Sequence, residues 1–280
     1  PVDFEKLGVW SAAARATVGP ASLTFVIVPV FTPSRTPLVG GRWVPPLPPG
    51  ALVDGRELPG RTADNIQYAA RLRGTVRGVD LSLSYFDGFE HLPSARRSER
   101  VVAGVATPLF TPVFTRMNTV GADFSTTFGK LEVHGEAAAK FVERDGRHDR
   151  LQTIVGVNYA WDELPLRWLE QVTLIAEYAR ETTLSSARPD LLDPATLRAF
   201  RDTALVRLAF KFSEETSLKL TGVLDFTGAP NHYLQARVSH KVTDTLHVEG
   251  GFDGFGGPRD TLYGRWRDND RISFSMKYYF

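Results

Sequence analysis

The sequence predicts an all-β fold: a transmembrane, antiparallel, up-and-down β-barrel with about 13–14 visible strands. Three observations support this prediction. Apolar and polar residues alternate with a period of two along most of the chain. The alternating segments are long enough to cross a bilayer, which takes about 9–11 residues per strand. The connections between them alternate between short and long.

The composition bounds the class of protein before any element is placed. Of the 280 residues, 42% are hydrophobic and 23% are charged, which excludes a disordered chain and an obvious helical membrane protein. A net charge of +1 gives no reason to expect nucleic acid as a partner. The absence of cysteine excludes disulfides, thiolate metal sites and cysteine nucleophiles. We expect no cofactor.

No apolar run approaches the roughly 20 residues that a transmembrane helix needs. The longest, LTFVIVPVF, extends from Leu23 to Phe31 and is interrupted by Pro29. No signal peptide is visible, and Pro1 is not a natural start. We therefore expect an N-terminal portion of the barrel to be missing.

The candidate strands follow one another along the whole chain. They cover 8–18, 21–31, 65–76, 79–87, 113–128, 130–143, 150–162, 169–182, 202–213, 216–227, 231–242, 244–254 and 270–280. Segment 202–213 shows the pattern clearly. Val206, Leu208 and Phe210 fall on one side of the strand, and Arg207 and Lys211 fall on the other.

A soluble antiparallel sandwich is the alternative to a membrane barrel. Sandwich strands are shorter, about five to six residues, and bury their apolar faces against a second sheet. The segments found here are longer, and their polar faces carry charges as well as Ser and Thr. A tilted membrane strand with its apolar side outward and its polar side toward a lumen fits them better.

The connections are compatible with a single barrel domain over residues 1–280. Long extracellular loops are expected near 32–64, 88–112, 183–201 and 255–269, and every short turn except GAPN at 228–231 is expected on the periplasmic side. Single-chain bacterial barrels have an even number of strands, whereas the segments above make an odd number. A strand has therefore been missed in 32–64 or 99–112, or part of the barrel is absent.

The C-terminal stretch RISFSMKYYF carries a resemblance to a known class. Its apolar positions alternate and end on an aromatic residue: Ile272, Phe274, Met276, Tyr278 and Phe280. This pattern resembles the C-terminal signature of Gram-negative outer-membrane β-barrel proteins, of the porin and transporter kind. The resemblance implies an outer-membrane location, contact with outer-membrane lipid and lipopolysaccharide, and recognition of this last strand by the barrel-assembly machinery.

Aromatic residues near strand ends agree with an interfacial girdle on the outer face. They are Trp10, Tyr159, Trp161, Tyr178, Phe210, Phe212, Tyr278 and Phe280. The simpler explanation is that aromatic residues favour strands in any sheet.

The inward faces carry charges of both signs, which predicts their role in a pore. The predicted lumen-lining residues are Arg71, Arg73, Asp123, Glu132, His134, Glu136, Lys140, Glu177, Arg207, Lys211, Lys219, Asp225, Arg237, Lys241, Glu249 and Lys277. Opposed charges on a pore wall select solutes by size and charge, so we expect a porin or channel for polar or charged small solutes. The alternative is a structural or partner-binding barrel in an envelope complex, with paired charges and a plugged lumen. A homo-oligomer is also compatible with the sequence.

The long loops and the histidines leave further options. The Pro- and Gly-rich loop 32–64 could constrict the lumen, cover the mouth or be a mobile surface loop. Asp193 is a candidate N-cap for a short helix that begins at Pro194. His240 alone faces outward within a strand, and its predicted neighbours Leu246, Val248 and Leu218 include no nucleophile, so we expect no enzyme.

Two weaker patterns in the sequence resemble binding sites. Glu132, His134 and Glu136 share one strand face near Asp123, but strand residues two apart are separated by about 6.5–7 Å and rarely converge on one ion. We therefore expect no metal. The glycines from Gly250 to Gly257 do not open a helix, which argues against nucleotide binding, and we expect them to loosen a strand end.

Overall fold

The computed structural model describes residues 8–35, 50–142, 149–162, 164–185, 191–192 and 200–280. Its strands are β1 (Ala12–Val18), β2 (Ala21–Val28), β3 (Leu52–Val53), β4 (Gln67–Val76), β5 (Val79–Phe89), β6 (Ser94–Val102), β7 (Val105–Val113), β8 (Arg116–Phe128), β9 (Leu131–Val142), β10 (Arg150–Trp161), β11 (Gln171–Thr183), β12 (Leu191–Leu192), β13 (Asp202–Lys211), β14 (Thr216–Asp225), β15 (Asn231–Lys241), β16 (Leu246–Gly256) and β17 (Arg271–Tyr278). Short 3-10 turns lie at Ala63–Asn65 and Gly264–Trp266. Within these ranges, no helix has the length and apolar character that a membrane span requires.

Thirteen strands form one main sheet in the order β1-β2-β4-β5-β8-β9-β10-β11-β13-β14-β15-β16-β17. Each strand pairs antiparallel with its neighbour, so the chain passes up and down along the sheet. Each of the predicted strands is present, and its ends differ by only a few residues from the predicted ones. The prediction of an all-β, antiparallel, up-and-down fold is therefore confirmed.

The two outermost strands of the main sheet are β1 and β17. They run in the same direction, because an odd number of alternating strands places the first and the last in parallel. In the part of the chain that the structure describes, these two strands do not pair with each other.

The register gives the main sheet one apolar and one polar face. Leu208 of β13 lies opposite Leu174 of β11 and Leu220 of β14. On the other face, Arg207 lies opposite Thr221. The apolar face is open to the surroundings along the sheet, and Val155 and Phe274 are 56% and 74% exposed. An exposed apolar surface of this extent marks a contact with lipid or protein.

A second sheet contains four strands in the order β12-β6-β7-β3. Its centre is the antiparallel hairpin β6–β7, which turns at Ala103 and Gly104 with φ angles of 49° and 82°. The hairpin lies within the long connection that the sequence predicts over 88–112, where a further strand in 99–112 is one of the options left open. These strands alternate poorly and contain Pro108 and Pro112, so their sequence carries little strand signal.

The buried apolar core lies where the second sheet joins the C-terminal end of β5 and the N-terminal end of β8. Phe89, Phe110, Val113, Phe114 and Met117 are each less than 10% exposed. The ring of Phe31, which follows β2, contacts Phe89 and Phe114 at centroid distances of 5.5 and 5.0 Å. This cluster attaches the second sheet to the main sheet.

The short connections are tight turns. Arg77 and Gly78 join β4 to β5 with φ angles of 52° and 82°, as a two-residue turn with both central residues in the left-handed region requires. A residue with a β-carbon is disfavoured there, and Asn tolerates this conformation better than Arg.

We expect Arg77→Asn to raise the free energy of unfolding by up to about 1 kcal/mol, because Asn-Gly suits this turn. Gly78→Ala is expected to lower it by at least about 1 kcal/mol, because the added β-carbon is strained at positive φ. Equilibrium unfolding of the two variants in urea checks the pair. A destabilised Arg77→Asn variant would contradict the turn assignment.

Candidate functional site

The polar face of the main sheet is the candidate functional site. Cross-strand register places every residue predicted to line the lumen on this face. One row across the sheet shows the continuity: Glu132, Asn158, Ile175, Arg207, Thr221, Gln235, Asp253 and Arg271 lie opposite one another in succession. That this face borders an open lumen stays a prediction.

A buried carboxylate organises the polar face of β15–β17. Asp253 is 1% exposed and accepts two hydrogen bonds of 2.8 Å from the Arg237 guanidinium. It also accepts from Arg271 Nε at 2.7 Å and from the Tyr233 hydroxyl at 2.5 Å. Charge-assisted bonds of this kind are stronger than neutral ones, so the cluster holds three neighbouring strands together.

Two glycines give long side chains room to cross the face. Gly251 lies between Arg237 and Ser273 in the register, and a β-carbon there would be 2.7 Å from Arg237 Nη1. The expectation that the glycines of this stretch loosen a strand end is wrong for Gly251, since β16 is paired on both sides as far as Asp253. Gly251 instead accommodates Arg237 on its way to Asp253.

Gly156 of β10 also makes room for long side chains on the polar face, in another part of the main sheet. It lies opposite both His134 of β9 and Glu177 of β11, and these two side chains meet above it with Nε2 and Oε1 3.2 Å apart. On the same face, Asn158 donates to Glu132 at 3.1 Å. Among the described residues, no three acidic or histidine side chains come together as a metal site.

A further cluster lies on β4, β5 and β8. The Arg71 guanidinium donates to both oxygens of Asp123 at 2.9 and 3.1 Å, and its Nε donates to the Ser82 hydroxyl at 3.0 Å. Ser82 is also hydrogen-bonded to Asp123. Several of the predicted lumen charges are thus paired with one another, either between neighbouring strands or across one intervening strand, as the alternative of a rigid, plugged barrel requires.

Charges of the two signs are concentrated on different strands. On β8–β11 the polar face carries the acidic residues Asp123, Glu132, Glu136, Glu177 and Glu181 beside the basic residues Lys140 and Arg150. On β13–β17 the basic residues predominate: Arg207, Lys211, Lys219, Arg237, Lys241, Arg271 and Lys277 beside Asp225, Glu249 and Asp253. Within the described ranges, Lys219 and Lys277 are exposed and form no ion pair closer than 4 Å.

A buried ion pair joins the end of β5 to the beginning of β10 across the polar face. Arg150, at the beginning of β10, contacts the carboxylate of Glu90, and their side chains are 1% and 11% exposed. Strands β8 and β9 lie between β5 and β10, a span of about 14 Å. Glu181, 3% exposed, lies 3.8 Å from Arg150 on its other side. Because the Glu90 amide still donates to the Thr115 carbonyl at 2.9 Å, it is the two side chains that bridge this end of the polar face.

The connection 257–270 also folds onto the polar face. The Tyr263 amide donates to Asn231 Oδ1 at 2.8 Å, and the Tyr263 ring stacks on Tyr233 at 6.0 Å. Burial raises the pKa of Tyr263 to about 12, and the negative charge of Asp225 acts in the same direction. Asp225 is the last residue of β14, and Tyr233 belongs to β15. The Tyr263 phenol therefore lies over β14 and β15, both of which precede connection 257–270 in the chain. The sequence identified this loop as long but not its inward course.

The apolar face carries aromatic groups at its short-connection end. Tyr159 and Trp161 are in contact at 4.6 Å between ring centroids, and Phe212 stacks on Trp168 at 6.0 Å and on Phe210 at 6.5 Å. On β17, Ile272, Phe274, Met276 and Tyr278 are 64–87% exposed, and Phe280 follows the end of the strand. The predicted assembly signal is thus accessible on the sheet edge.

One histidine prediction requires correction. Val248 lies opposite His240, as predicted, but so does Thr216, whose hydroxyl is 2.9 Å from His240 Nδ1. The predicted set of neighbours omits Thr216, at the beginning of β14, because alternation alone does not determine the register. The helix predicted to begin at Asp193, the loop segment 36–49 and His148 lie outside the described residues.

Comparison with known proteins gives one similar fold. A solved structure of a mutant of the Rh. blastica porin is similar to this chain with a TM-score of 0.48 and 13% sequence identity, over 96% of this chain and 77% of the porin. No protein-family model and no curated protein sequence matches the chain. The strands themselves define the fold class, which is all-β with one long antiparallel, up-and-down sheet; its closure into an outer-membrane barrel stays a prediction.

Removal of the buried partner of Arg150 is expected to loosen the segment after β5. Glu90→Ala leaves a guanidinium buried without this carboxylate, which costs about 3–5 kcal/mol. Glu57→Ala is the matched control, because Glu57 and its partner Arg96 have side chains about half exposed and such pairs contribute at most about 1 kcal/mol. Limited proteolysis of segment 90–115 checks this: Glu90→Ala is cut much faster than the native chain, and Glu57→Ala is not. Equal cleavage rates in the two variants would contradict the prediction that the Glu90–Arg150 pair holds this segment in place.

Filling the space above β10 is expected to separate His134 from Glu177. The β-carbon of Gly156→Ala would lie 2.5 Å from His134 Nε2, and overpacking of this kind costs about 1–3 kcal/mol. Gly250→Ala is the control, because a β-carbon there meets nothing within 4 Å. Equilibrium unfolding of both variants checks the prediction, which fails if the two lose equal stability.

Proposed function

We propose that this protein is an outer-membrane porin or channel through which polar or charged small solutes pass. One observation carries the proposal: thirteen long strands present a continuous apolar face on one side and a continuous charged face on the other. In water, an apolar face of this size would be buried against another layer. In a bilayer it meets lipid, and the charged face borders water.

The distribution of charge supports passage of solutes. Acidic residues predominate on β8–β11 and basic residues on β13–β17, so a solute that moves along the polar face experiences charges of opposite sign on its two sides. Lys219 and Lys277 present exposed ammonium groups there. We expect no enzymatic activity, and we expect the C-terminal strand to be recognised by the assembly machinery.

The alternative function, a structural or partner-binding barrel with a plugged lumen, also has support. The Glu90–Arg150 pair places two side chains across the polar face, and the inward course of loop 257–270 places polypeptide over it. Cross-strand pairs such as Arg71–Asp123 occupy charges that a solute would otherwise meet. A lumen filled by these elements would hold the barrel rigid and would not conduct.

Conductance separates the two functions. We expect the complete protein in a planar bilayer to give steady single-channel currents. We expect Lys219→Gln, and more strongly Lys219→Glu, to shift the reversal potential in a salt gradient toward cation preference, because each removes positive charge from the wall. Absence of current from a correctly folded barrel would favour the plugged alternative, and an unchanged reversal potential would exclude Lys219 from the path.

A charge on the apolar face tests the membrane orientation. Leu220 lies at the middle of β14, and Leu220→Arg is expected to cost about 2–4 kcal/mol in lipid vesicles, because the guanidinium enters hydrocarbon. Thr173→Arg is the matched control, since Thr173 lies on the polar face between Ala160 and Ala209. Unfolding in vesicles checks the pair. A penalty for Thr173→Arg as large as that for Leu220→Arg would contradict the orientation.

A further inference from the structure

A groove of about 640 Å³ crosses the apolar face from β4 to β10. Its sides are two rows of residues that lie opposite one another in the register. One row is Gly74, Leu81, Phe124, Gly135 and Val155; the other is Leu72, Leu83, Ala122, Ala137 and Thr153. The floor of the groove is the backbone of the residues that lie between the two rows. The side chains of these intervening residues lie on the polar face. The small side chains of Gly74, Ala122 and Ala137 leave the groove open, Leu83 borders it, and the Phe124 ring covers Gly135.

The groove has the dimensions and chemistry of a site for an extended alkyl chain. It crosses four strand-to-strand spacings, which is a length of about 19 Å. Its side chains are apolar except for Thr153, whose hydroxyl is bonded to the Arg180 carbonyl at 3.4 Å. A polar ligand would leave its own hydrogen-bonding groups unsatisfied there.

Both rows continue onto β11 at a polar end. Val155 lies opposite Tyr178, and Thr153 lies opposite Arg180. Arg180 is exposed, lies beside the Tyr178 phenol, and has no ion pair closer than 4 Å among the described residues. The nearest carboxylate in the register, Asp202, accepts the Tyr178 hydroxyl at 2.5 Å. One strand beyond the groove, the two rows therefore lead to an exposed guanidinium that is available to an anion.

The direction of the groove fits a lipid held in one leaflet. Gly74 lies near the short-connection end of β4, whereas Arg180 lies three residues from the long-connection end of β11. Strands in membrane barrels are tilted by about 35–45°, so a path perpendicular to them rises obliquely through the hydrocarbon layer. Its upper end is where an arginine meets lipid headgroups.

We propose that this groove binds a phosphate-bearing lipid, with an acyl chain between the two rows and the phosphate on Arg180. A planar guanidinium matches phosphate in a bidentate arrangement, and the apolar rows bury the chain. The inference rests on the membrane location in the proposed function but not on conduction. A second copy of the chain or an uncharged lipid would use the apolar rows without need of Arg180.

Lipid binding to the intact chain in detergent micelles tests the proposal. Dioleoyl phosphatidic acid and dioleoylglycerol differ only in the phosphate, and native mass spectrometry gives the bound fraction of each. We expect the native chain to bind the phosphatidic acid about tenfold more tightly. Arg180→Ala should remove this preference, and Ala137→Trp, which fills the groove, should weaken binding of both lipids by about tenfold.

Two control variants separate the site from general effects. Arg100→Ala removes an exposed arginine of the second sheet, and Ala236→Trp adds an indole elsewhere on the apolar face, opposite Leu220 and Phe252. Both should bind as the native chain does. Equal binding of the two lipids, an unchanged preference in Arg180→Ala, or equal losses in variants and controls would overturn the proposal.

The outcome is independent of channel activity, because binding is measured without current. A chain that binds phosphatidic acid selectively and does not conduct would refute the porin and retain the lipid site. A conducting chain without selective lipid binding would do the reverse. Dimers that form in the native chain and are lost in Ala137→Trp would assign the groove to a second copy and overturn the lipid proposal.

Discussion

The structure depends on one constraint, the register of the backbone ladder across thirteen strands. Successive side chains point to opposite faces, so a shift of one residue between two strands would exchange the faces of every residue beyond it. The observed pairing keeps Leu208, Leu174 and Leu220 together and keeps Arg207 away from them. Where one face meets hydrocarbon, such a shift is prohibitively costly, because each charge turned outward loses its hydration.

Glycine on the polar face resolves a conflict that this register creates. A charged side chain must pass over a neighbouring strand to reach its partner, and a β-carbon at the crossing point would block the path. Gly156 opens the space between His134 and Glu177, and Gly251 opens the path of Arg237 toward Asp253. The backbone pairing therefore determines on which face each side chain lies. Glycine, which has no side chain, leaves the room that the charged groups need to pair.

The main sheet could be predicted from the sequence because its signal is local. A strand with one apolar and one polar face shows its alternation within ten residues, whichever strand it pairs with. The faces of Arg71 and Lys277 were predictable for the same reason. The Glu90–Arg150 pair was not, because it joins residues 60 apart in sequence through the course of a loop. The contact of Thr216 with His240 depends on register, which alternation alone does not determine.

The second sheet and the groove illustrate two further limits of a local pattern. Strands β6 and β7 are stabilised by their junction with β5 and β8, where Phe110 and Phe114 are buried, so their own sequence needs little alternation. The groove is invisible along any one strand, since each contributes only a residue or two to it. It arises because the register aligns Gly135 of β9 with Phe124 and Val155, and Ala137 with Ala122 and Thr153. The same ladder that separates polar from apolar residues thus also assembles a shaped surface on the apolar side, whose rows lead on to Arg180.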